Sequence, residues 1–542
     1  MTDSTAAPAP REAASGTGHG AHDAPDEADE TNSADGKGGS DATDPAGEQP
    51  DVAAEPVEPS GPDRPYEPGV PYEPDGSRRP GRDRGAPRGS HRRGGPRTGP
   101  RPRTAVAAPL AIWALTRTAL LLCVFKVFVV PGPDYTSDVS AIYQSWYGLL
   151  KSGVFPANDV TWQYPPAAAL AILSPALLPF LDYATAFYVL ACAADAAVLG
   201  LLLRASGRPG RRPGGAWCWI AGVTLLGPTA YARYDLMVTG VAVAALLACA
   251  RRPRLAGALA AFGATLKIWP GLLLLGVRHG RETRTAWTAA LITGAAVMCL
   301  FAATMPGALT FLGFQQSRGT EVESLGALVF HVARHFGWEG QVLLNYGSME
   351  FVGPYVNLVS DAALLLTVLA FLWLLLWRLR AVRWTASTPA DAALTAVLLF
   401  TTTSRVISPQ YMIWLVGLAA VCLTLRASCQ ALPAGLVLAA TGVTLMEFPP
   451  GFADVVASDW LGVLLMSVRN GLLVAASLLA CVRLWRSTRP SGRRTGAYGT
   501  RTARTEPETD APVTAEEAEA EPEAGADGVT SAASVRTSAT AR

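Results

Sequence analysis

The stretch "YVNLVSDAALLLTVLAFLWLLLW" (355–377) decides the fold, because its only charged side chain is Asp361. An α-helix needs about 20 mostly apolar residues to cross the hydrocarbon core of a bilayer. Apolar runs of similar length recur at 106–130, 184–203, 285–304 and 460–482. The chain is therefore predicted to be an all-α polytopic membrane protein, with about 10–12 transmembrane helices and extracytoplasmic loops.

Two long tails lack such runs. Residues 1–104 are first acidic, as in "DAPDEADETNSADG", and then rich in arginine, whereas residues 486–542 are basic and then acidic. Segments that bury too little apolar surface to offset the entropy of ordering stay disordered. We therefore expect two disordered tails around a membrane domain at 105–485. The net charge of +1 conceals this asymmetry and indicates no class of partner.

The arginine distribution predicts the orientation, since Lys and Arg concentrate in cytoplasmic loops. Arginines before the first apolar run and in "RLWRSTRPSGRR" after the last one place both termini in the cytoplasm, with "RHGRETR" and "WRLRAVR" on the same side. The first run is too long for the apolar part of a signal peptide and is expected to be an uncleaved anchor. The extracytoplasmic segments are then 132–164, 306–354, 401–410 and 448–459.

The stretch 165–277 allows two topologies. Twelve crossings result if every apolar run spans the bilayer, but the arginine loops "RASGRPGRR" and "RRPR" then lie outside the cytoplasm. Ten crossings result if 165–181 and 255–277 are re-entrant hairpins, which keeps both loops inside. The sequence favours neither alternative.

Two carboxylates follow the first apolar run in "GPDYTSDVSAIYQSW" (132–146). Asp134 and Asp138 are four residues apart and share a face if this segment is helical. A carboxylate at a membrane exit, with Tyr143 nearby, can serve as a general base. The alternative is that both acids are solvated in a loop beside interfacial aromatic residues.

Ionisable and polar groups also interrupt the apolar runs, where a charge costs about 2.5–3.5 kcal/mol on insertion scales. Lys267 in "GATLKIWPG" either contacts a phosphate or extends to the headgroups. Tyr164 precedes two prolines in "WQYPPAAAL", which sets a helix start at the interface. Each residue is a candidate for the site or for a purely structural role.

The largest extracytoplasmic segment contains "FQQSRGTEVESL" (314–325). Arg318, Glu321 and Glu323 form a polar cluster suited to sugar hydroxyls or a phosphate, since Arg offers a planar fork of donors; a solvated loop is the alternative. His331 and His335 have metal-ligand spacing on a helix, but two histidines without a third ligand do not define a metal site. We predict no metal and no other cofactor.

Two helix junctions contribute further candidates. "TTTSRVISPQYMIWL" (401–415) holds Arg405, Gln410 and Tyr411, and "YARYDLM" (231–237) holds Arg233 and Asp235. These side chains either line a substrate site or stabilise the bundle, for instance through an ion pair between Arg233 and Asp235. No Walker or Rossmann motif occurs, which argues against an ATPase and a soluble nucleotide-sugar enzyme. The eight cysteines form no CxxC pair, so neither a disulfide framework nor a zinc site is expected.

These motifs, in this order, resemble glycosyltransferase family 87, the polyprenol-phosphate-mannose-dependent mannosyltransferases with the multi-spanning GT-C fold, which include actinobacterial enzymes. The carrying stretches are "SDVSAIYQSW", "WQYPPAAAL", "RYDLMVTGVAV", "LKIWPGLLLL", "SRGTEVES" and "SRVISPQYMIWL", within about residues 106–480.

The resemblance implies that Asp138 is the catalytic base, with Asp134, Tyr143, Tyr164, Glu323 and His331 as further catalytic or acceptor-binding candidates. Lys267, Arg318 and Arg405 also match positions of the family, and their positive charge indicates that they hold the donor phosphate. The expected partners are a polyprenyl-phosphate-linked sugar, a glycolipid or glycan acceptor and membrane lipids, with no nucleic acid.

The implied reaction is inverting transfer of mannose at the extracytoplasmic face of the cell membrane. A pentose on the same carrier is the alternative donor. The main rival function is a sugar or lipid transporter or flippase, which would show charges at the bilayer midplane and inverted half-repeats. A non-catalytic envelope scaffold working through its tails is a second rival.

Overall fold

The computed structural model describes residues 104–316 and 318–490. The predicted disordered tails lie outside these residues, except that the last helix continues to Thr488, beyond the expected boundary at 485. The α-helices are α1 (Thr104–Val124), α2 (Gln144–Lys151), α3 (Ala168–Leu173), α4 (Tyr183–Ser206), α5 (Gly214–Leu226), α6 (Asp235–Cys249), α7 (Pro253–Leu266), α8 (Arg281–Thr304), α9 (Phe311–Gln316), α10 (Ala327–Arg334), α11 (Val356–Arg380), α12 (Thr388–Thr402), α13 (Tyr411–Thr424), α14 (Ala431–Glu447), α15 (Phe452–Ala457) and α16 (Trp460–Thr488).

The described residues form a polytopic all-α membrane protein, as the apolar runs predict. Five of their helices are long and apolar enough to cross a bilayer: Val106–Val124 within α1, then α4, α8, α11 and α16. On α11, Leu358, Leu365 and Leu372 are exposed, which is the expected state of side chains that face lipid tails. Shorter apolar helices, among them α6, α13 and α14, complete the bundle.

The centre of the bundle is α13, whose residues 412–422 are all buried. Glycines of α5 allow its close approach: a Cβ at Gly215 would lie 2.2 Å from the carbonyl oxygen of Ala420, and one at Gly222 would lie 2.3 Å from Val416. Small residues at such positions let helix backbones pack closely where lipid supplies no hydrophobic driving force between helices.

The two arginine loops of the ambiguous stretch lie at one end of the bundle. Arg208, Arg211, Arg251, Ser387 and Leu425 line one small cavity there, and we call this the arginine end. The helix α13 begins at Tyr411 and reaches the arginine end at Thr424, a rise of about 20 Å at 1.5 Å per residue. The other end of the bundle carries the large cavity described below.

The segment 253–277 folds back on itself. The helix α7 leaves the arginine end and stops before Lys267, whose Nζ lies 2.7 Å from Asp235 at the first turn of α6. The 3-10 helix Trp269–Gly276 then returns, and Arg378 donates to the carbonyl oxygens of Leu275 and Val277. The helix α3 and the 3-10 turn Ser174–Leu177 are together too short to span a bilayer. This is the geometry that the ten-crossing alternative requires.

A small sheet lies beside the helices in the segment 306–354. Its strands are β1 (Thr320–Glu321), β2 (Gln341–Asn345) and β3 (Ser348–Val352), in the order β1-β3-β2 with antiparallel pairing. Leu343 pairs with Glu350, and Glu321 pairs with the same residue from the other side. By pairing with β3, β1 holds Thr320 and Glu321, which follow α9, in place.

A buried ion pair joins α1, α4 and α5. Arg117 Nε lies 2.8 Å from Asp195 Oδ2, and both side chains are almost fully buried. Trp113, Trp219 and Tyr231 also donate to Asp195, at 2.9, 2.6 and 2.6 Å. Because both oxygens of the Asp195 carboxylate accept hydrogen bonds, its charge is compensated, and the side chain holds α1, α4 and α5 together.

Candidate active site

A cavity of about 630 Å³ lies at the end of the bundle opposite the arginine end. It brings together residues that are far apart in sequence, from the loop 132–164, the helix junctions and the small sheet. The predicted site residues that line it are Asp134, Asp138, Tyr143, Tyr164, Arg233, Lys267, Arg318, Glu321, Glu323, Arg405, Gln410 and Tyr411. Such a volume suits a small-molecule or headgroup site.

Asp138 begins a π-helical turn, Asp138–Tyr143, that leads directly into α2. Its Oδ2 lies 2.9 Å from Arg233 Nε, and the two side chains are 25 % and 12 % exposed. Arg233 is held from behind by the carbonyl oxygens of Tyr135 and Ala232, which accept from its Nη1. The carboxylate is therefore oriented by one arginine, is half-open to the cavity, and has no other hydrogen-bond partner among the described side chains.

Asp134 has a different environment, although it also borders the cavity. Its Oδ1 accepts from the amide and the hydroxyl of Thr136, and its Oδ2 lies 2.6 Å from the exposed Lys126. Burial alone would raise the pKa of Asp134, but the hydrogen bonds from Lys126 and Thr136 hold it below its usual value. It precedes the helical turn rather than sharing a helix face with Asp138. The Asp134 side chain thus stabilises the loop that precedes the π-helical turn.

Lys267 and Asp235 form a buried pair, 2.7 Å apart, beside the cavity. Trp414 Nε1 donates to the same oxygen of Asp235 at 2.6 Å. The ammonium group also lies 5.1–5.7 Å from the ring centroids of Tyr164, Tyr234, Tyr411 and Trp414. The sequence suggested that Lys267 contacts a phosphate or extends to the headgroups, and neither interpretation predicts these contacts. The four rings and Asp235 together hold the ammonium group in place.

The proposed ion pair between Arg233 and Asp235 is wrong. Arg233 pairs with Asp138, and Asp235 pairs with Lys267. The two residues flank the start of α6 and point to different partners because one precedes the helix and the other opens it. Both pairs connect the helix junction to the cavity wall.

The tyrosines of the site are buried among other rings. Tyr164 packs edge-on against Tyr234 at 5.2 Å, and Tyr143 stacks on Trp146 at 5.7 Å between centroids. Burial, followed by neighbouring acids and tyrosines, raises the pKa of Tyr143 and of Tyr164 well above the usual value. These hydroxyls therefore stay protonated and can donate hydrogen bonds, but they do not serve as bases at neutral pH.

Two arginines occupy another part of the wall. Arg318 Nη2 donates to Ser348 at 2.6 Å, and its Nε lies 3.4 Å from Glu350 on β3. Arg405 Nη1 donates to the carbonyl oxygen of Arg318 at 2.8 Å and to Ser360 at 3.2 Å. Burial and the nearby Arg318 lower the pKa of Arg405. Two arginines that line the same cavity favour an anion beside them.

The acids of β1 and the segment after it are buried. Glu321 accepts from Ser408 at 2.9 Å, and burial raises its pKa. Burial and the nearby Glu447 raise the pKa of Glu323 well above its usual value. Arg469 lies 3.0 Å from Glu447 and donates to the carbonyl oxygen of Glu323 at 2.7 Å. Burial and Glu447 therefore favour the protonated form of Glu323, which can donate a hydrogen bond.

His331 does not line the cavity. Its two ring nitrogens lie 2.8 Å from the Ser458 hydroxyl and 2.7 Å from the carbonyl oxygen of Val322. His335 stacks on Trp460 with ring centroids 4.0 Å apart. Within residues 104–316 and 318–490, no group of three potential metal ligands occurs. The structure gives both histidines packing roles.

Three polar residues near the cavity were not singled out in the sequence. Glu447 and Arg469 form a fully buried pair, and Glu350 anchors Arg318. Arg469 had a visible signal, because it is an ionisable residue in the apolar run 460–482. Glu350 had none, since its role depends on the pairing of β1 with β3.

The fold and this cavity define a polytopic membrane protein with a charged, aromatic-lined site at one end of its helices. Residues 162–409 match the model of glycosyltransferase family 87, the family that the motifs resemble. The match supports a membrane glycosyltransferase. The match includes Tyr164, Lys267 and Arg405 but begins after Asp138. No curated protein and no solved structure matches the chain.

Proposed function

We propose that this protein transfers a sugar, mannose by resemblance, from a polyprenyl-phosphate carrier to a hydroxyl of an envelope glycolipid or glycan, with inversion at the anomeric carbon. The observation that carries the proposal is the composition of one cavity: a partly exposed carboxylate, Asp138, and two arginines, Arg318 and Arg405, line the same space. This is what attack by a hydroxyl and departure of a phosphate need.

The lining also suits a lipid-linked donor. Apolar side chains of three helices, Leu312 of α9, Leu364 of α11 and Phe400 of α12, border the cavity, and Leu312 and Leu364 are exposed. A polyprenyl chain needs an apolar path from the bilayer to a polar site, and these residues supply one. They support the lipid carrier over a soluble nucleotide sugar.

In the proposed reaction, the acceptor hydroxyl oxygen attacks the anomeric carbon of the donor sugar. Asp138 takes the hydroxyl proton, while Arg233 keeps the carboxylate oriented. The bond from the anomeric carbon to the phosphate oxygen breaks, and Arg318 and Arg405, with Lys267 nearby, offset the charge on the departing polyprenyl phosphate. Tyr164 and protonated Glu323 can donate hydrogen bonds to sugar oxygens, and Gln410 and Tyr411 complete the lining.

The arginine loops support an orientation for the proposed reaction. They occupy the end opposite the cavity, and the cytoplasmic preference of arginine therefore supports an active site on the extracytoplasmic side of the cell membrane. Both termini then lie in the cytoplasm. A donor displayed at the outer leaflet meets an envelope acceptor there.

The test is sugar transfer in membranes that express the native chain, Asp138→Asn or Asp134→Asn at equal levels. We expect Asp138→Asn to reduce transfer from labelled polyprenyl-phosphate-mannose by about 10²–10⁴-fold, because a positioned base contributes that much. Asp134→Asn is the matched control and should stay within about threefold, since its carboxylate caps a loop.

Several outcomes would contradict the proposal. Equal activity of native protein and Asp138→Asn would remove the assigned base. Transfer from a pentose carrier but not from the mannose carrier would replace the donor. Lipid movement without any glycosidic product would support the transporter alternative instead.

A further inference from the structure

A second cavity, of about 240 Å³, lies at the arginine end. Four connections meet there: the loops that join α4 to α5, α6 to α7, α11 to α12, and α13 to α14. Its volume is about a third of that of the candidate active site, and it is separated from that site by the length of α13. It is therefore a distinct site.

Three guanidinium groups line this cavity. Arg208, Arg211 and Arg251 form no ion pair and no side-chain hydrogen bond with any residue that the structure describes. Burial, and then the charges of Arg208 and Arg251, lower the pKa of Arg211. Like charges that share a half-buried space repel one another.

Nearby acid does not compensate this charge. Asp391 of α12 lies next to the cavity wall, but its oxygens accept from Ser428 at 2.5 Å and from the Cys429 thiol at 3.7 Å. It forms no ion pair with the three arginines. The local charge is thus strongly positive.

The backbone holds Arg211 in this position. Arg211 forms a β-bridge with Leu425, and the amide of Arg426 donates to the carbonyl oxygen of Gly210 at 3.1 Å. Arg426 Nε also donates to the carbonyl oxygen of Arg211 at 3.2 Å. Because these bonds tie the loop before α5 to the end of α13, the backbone of Arg211 is held beside the cavity.

We propose that this cavity binds a phosphate group, carried by an anionic lipid headgroup or by a soluble phosphate, and that binding offsets the repulsion among Arg208, Arg211 and Arg251. A guanidinium group offers phosphate a planar pair of donors, and several of them bind it more tightly than isolated surface charges do. A phosphate at this point cross-links four connections of the bundle. It therefore stabilises the folded protein by an amount that grows with the logarithm of the free phosphate concentration above the dissociation constant.

The experiment measures the thermal unfolding midpoint of the full-length protein in phosphatidylcholine nanodiscs. Inorganic phosphate is titrated against chloride at matched ionic strength, and phosphatidylglycerol with the same acyl chains replaces part of the phosphatidylcholine in a separate arm. The site variant is Arg211→Gln/Arg251→Gln. The matched control is Arg281→Gln/Arg284→Gln, two exposed arginines in the first turn of α8, with the same change of charge.

We expect one or both phosphate sources to raise the midpoint of the native chain and of the control by a few degrees. The site variant should lose at least half of that shift. Response to phosphatidylglycerol alone assigns a lipid headgroup, and response to free phosphate alone assigns a soluble ligand. Without either source, the site variant should be no less stable than the native chain, because its repulsion is smaller.

Equal shifts in the native chain and the site variant would overturn the proposal, as would no shift above that of chloride. If the double variant does not fold, Arg211→Lys replaces it, since Lys keeps the charge and loses the planar fork. Arg211→Lys should then weaken the response to phosphate at least threefold in half-saturating concentration. An unchanged response would also reject the site. Sugar transfer is not part of this readout, so its failure and that of the proposed enzyme are separable.

Discussion

At the residue scale, substitutions in the buried pair of Lys267 and Asp235 give the most stringent test of how the cavity wall is stabilised. Asp235 is almost fully buried, and Lys267 is its only cationic partner within bonding distance among residues 104–316 and 318–490. Removing one partner of a buried pair leaves an uncompensated charge, which costs about 3–5 kcal/mol. We expect Lys267→Met to lower the free energy of unfolding by about that amount, and Lys267→Met/Asp235→Asn to lower it by clearly less.

Denaturation of the purified protein in detergent measures this difference. Lys126→Met is the control, because its pair with Asp134 is largely exposed and should contribute less than about 1 kcal/mol. A double variant as unstable as Lys267→Met would mean that the ammonium group contributes through its ring contacts rather than through Asp235.

The acid Glu323 gives a pH prediction. Its pKa is raised in the folded protein by burial and by Glu447 and Glu321, against the opposing charge of Arg469. The folded state therefore binds a proton that the unfolded state releases above about pH 4.3. Stability that depends on this group is full below about pH 4.3 and decreases as the pH rises through the raised folded pKa.

Glu323→Gln should flatten that decrease, since an amide does not titrate. The measurement is the thermal unfolding midpoint of both proteins between pH 4.5 and 8, a range chosen to cover the raised pKa. Glu339→Gln, an exposed residue of the same segment, should leave the native profile unchanged. Parallel profiles for native protein and Glu323→Gln would show that the acid is ionised when folded.

Residue types in the sequence were enough to find most of the cavity lining, but not the pairing among them. Ionisable groups near the hydrocarbon cost free energy of insertion, and their presence there indicates a function. Asp138, Lys267 and Arg405 therefore stand out in the sequence. Arg233 and Asp235 are two positions apart, and that proximity suggested a wrong pair. Which charge meets which depends on how helix junctions from distant parts of the chain converge, and a single sequence does not contain that information.

At the element scale, the joint between α1, α4 and α5 rests on Asp195. We expect Asp195→Asn to lower the free energy of unfolding by about 3–5 kcal/mol, because Arg117 would keep a buried charge without a counter-ion. The yield of folded protein and its unfolding midpoint measure the effect. Asp182→Asn, at the start of α4, should change stability by only a few tenths of a kcal/mol, since Asn caps helices as well as Asp does. Similar losses in both variants would contradict the structural role of the buried pair.

Apolar runs identified the five long helices because length and composition decide whether a helix can span a bilayer. The shorter helices were harder to place. α6 and α13 are buried by neighbouring helices rather than by lipid, so nothing in their composition sets a crossing length. The strands β2 and β3 were not predicted at all, because "QVLLNYGSMEFV" lies in a segment interpreted as a loop.

At the scale of the whole molecule, the structure makes a topology prediction. Cysteines placed at Arg204 and Arg254 should react with a membrane-impermeant thiol reagent from the same side as each other, and one placed at Leu344 from the opposite side. The assay uses sealed cells and permeabilised cells, in a background whose reactive native thiols are replaced. Labelling of Arg204→Cys and Arg254→Cys from the same side as the cysteine at Leu344 would restore the twelve-crossing alternative, which places both arginine loops outside the cytoplasm.

The position of Asp138 and of the two arginines in one cavity has an electrical consequence. In the proposed step the carboxylate goes from charge −1 to neutral as it gains the proton, while the phosphate goes from a singly charged diester to a doubly charged monoester. The total charge inside the protein is then the same before and after transfer. One negative charge moves within the site, and none has to enter the low-dielectric bundle from water, where it would cost several kcal/mol. The chemical step should therefore be nearly independent of the membrane potential.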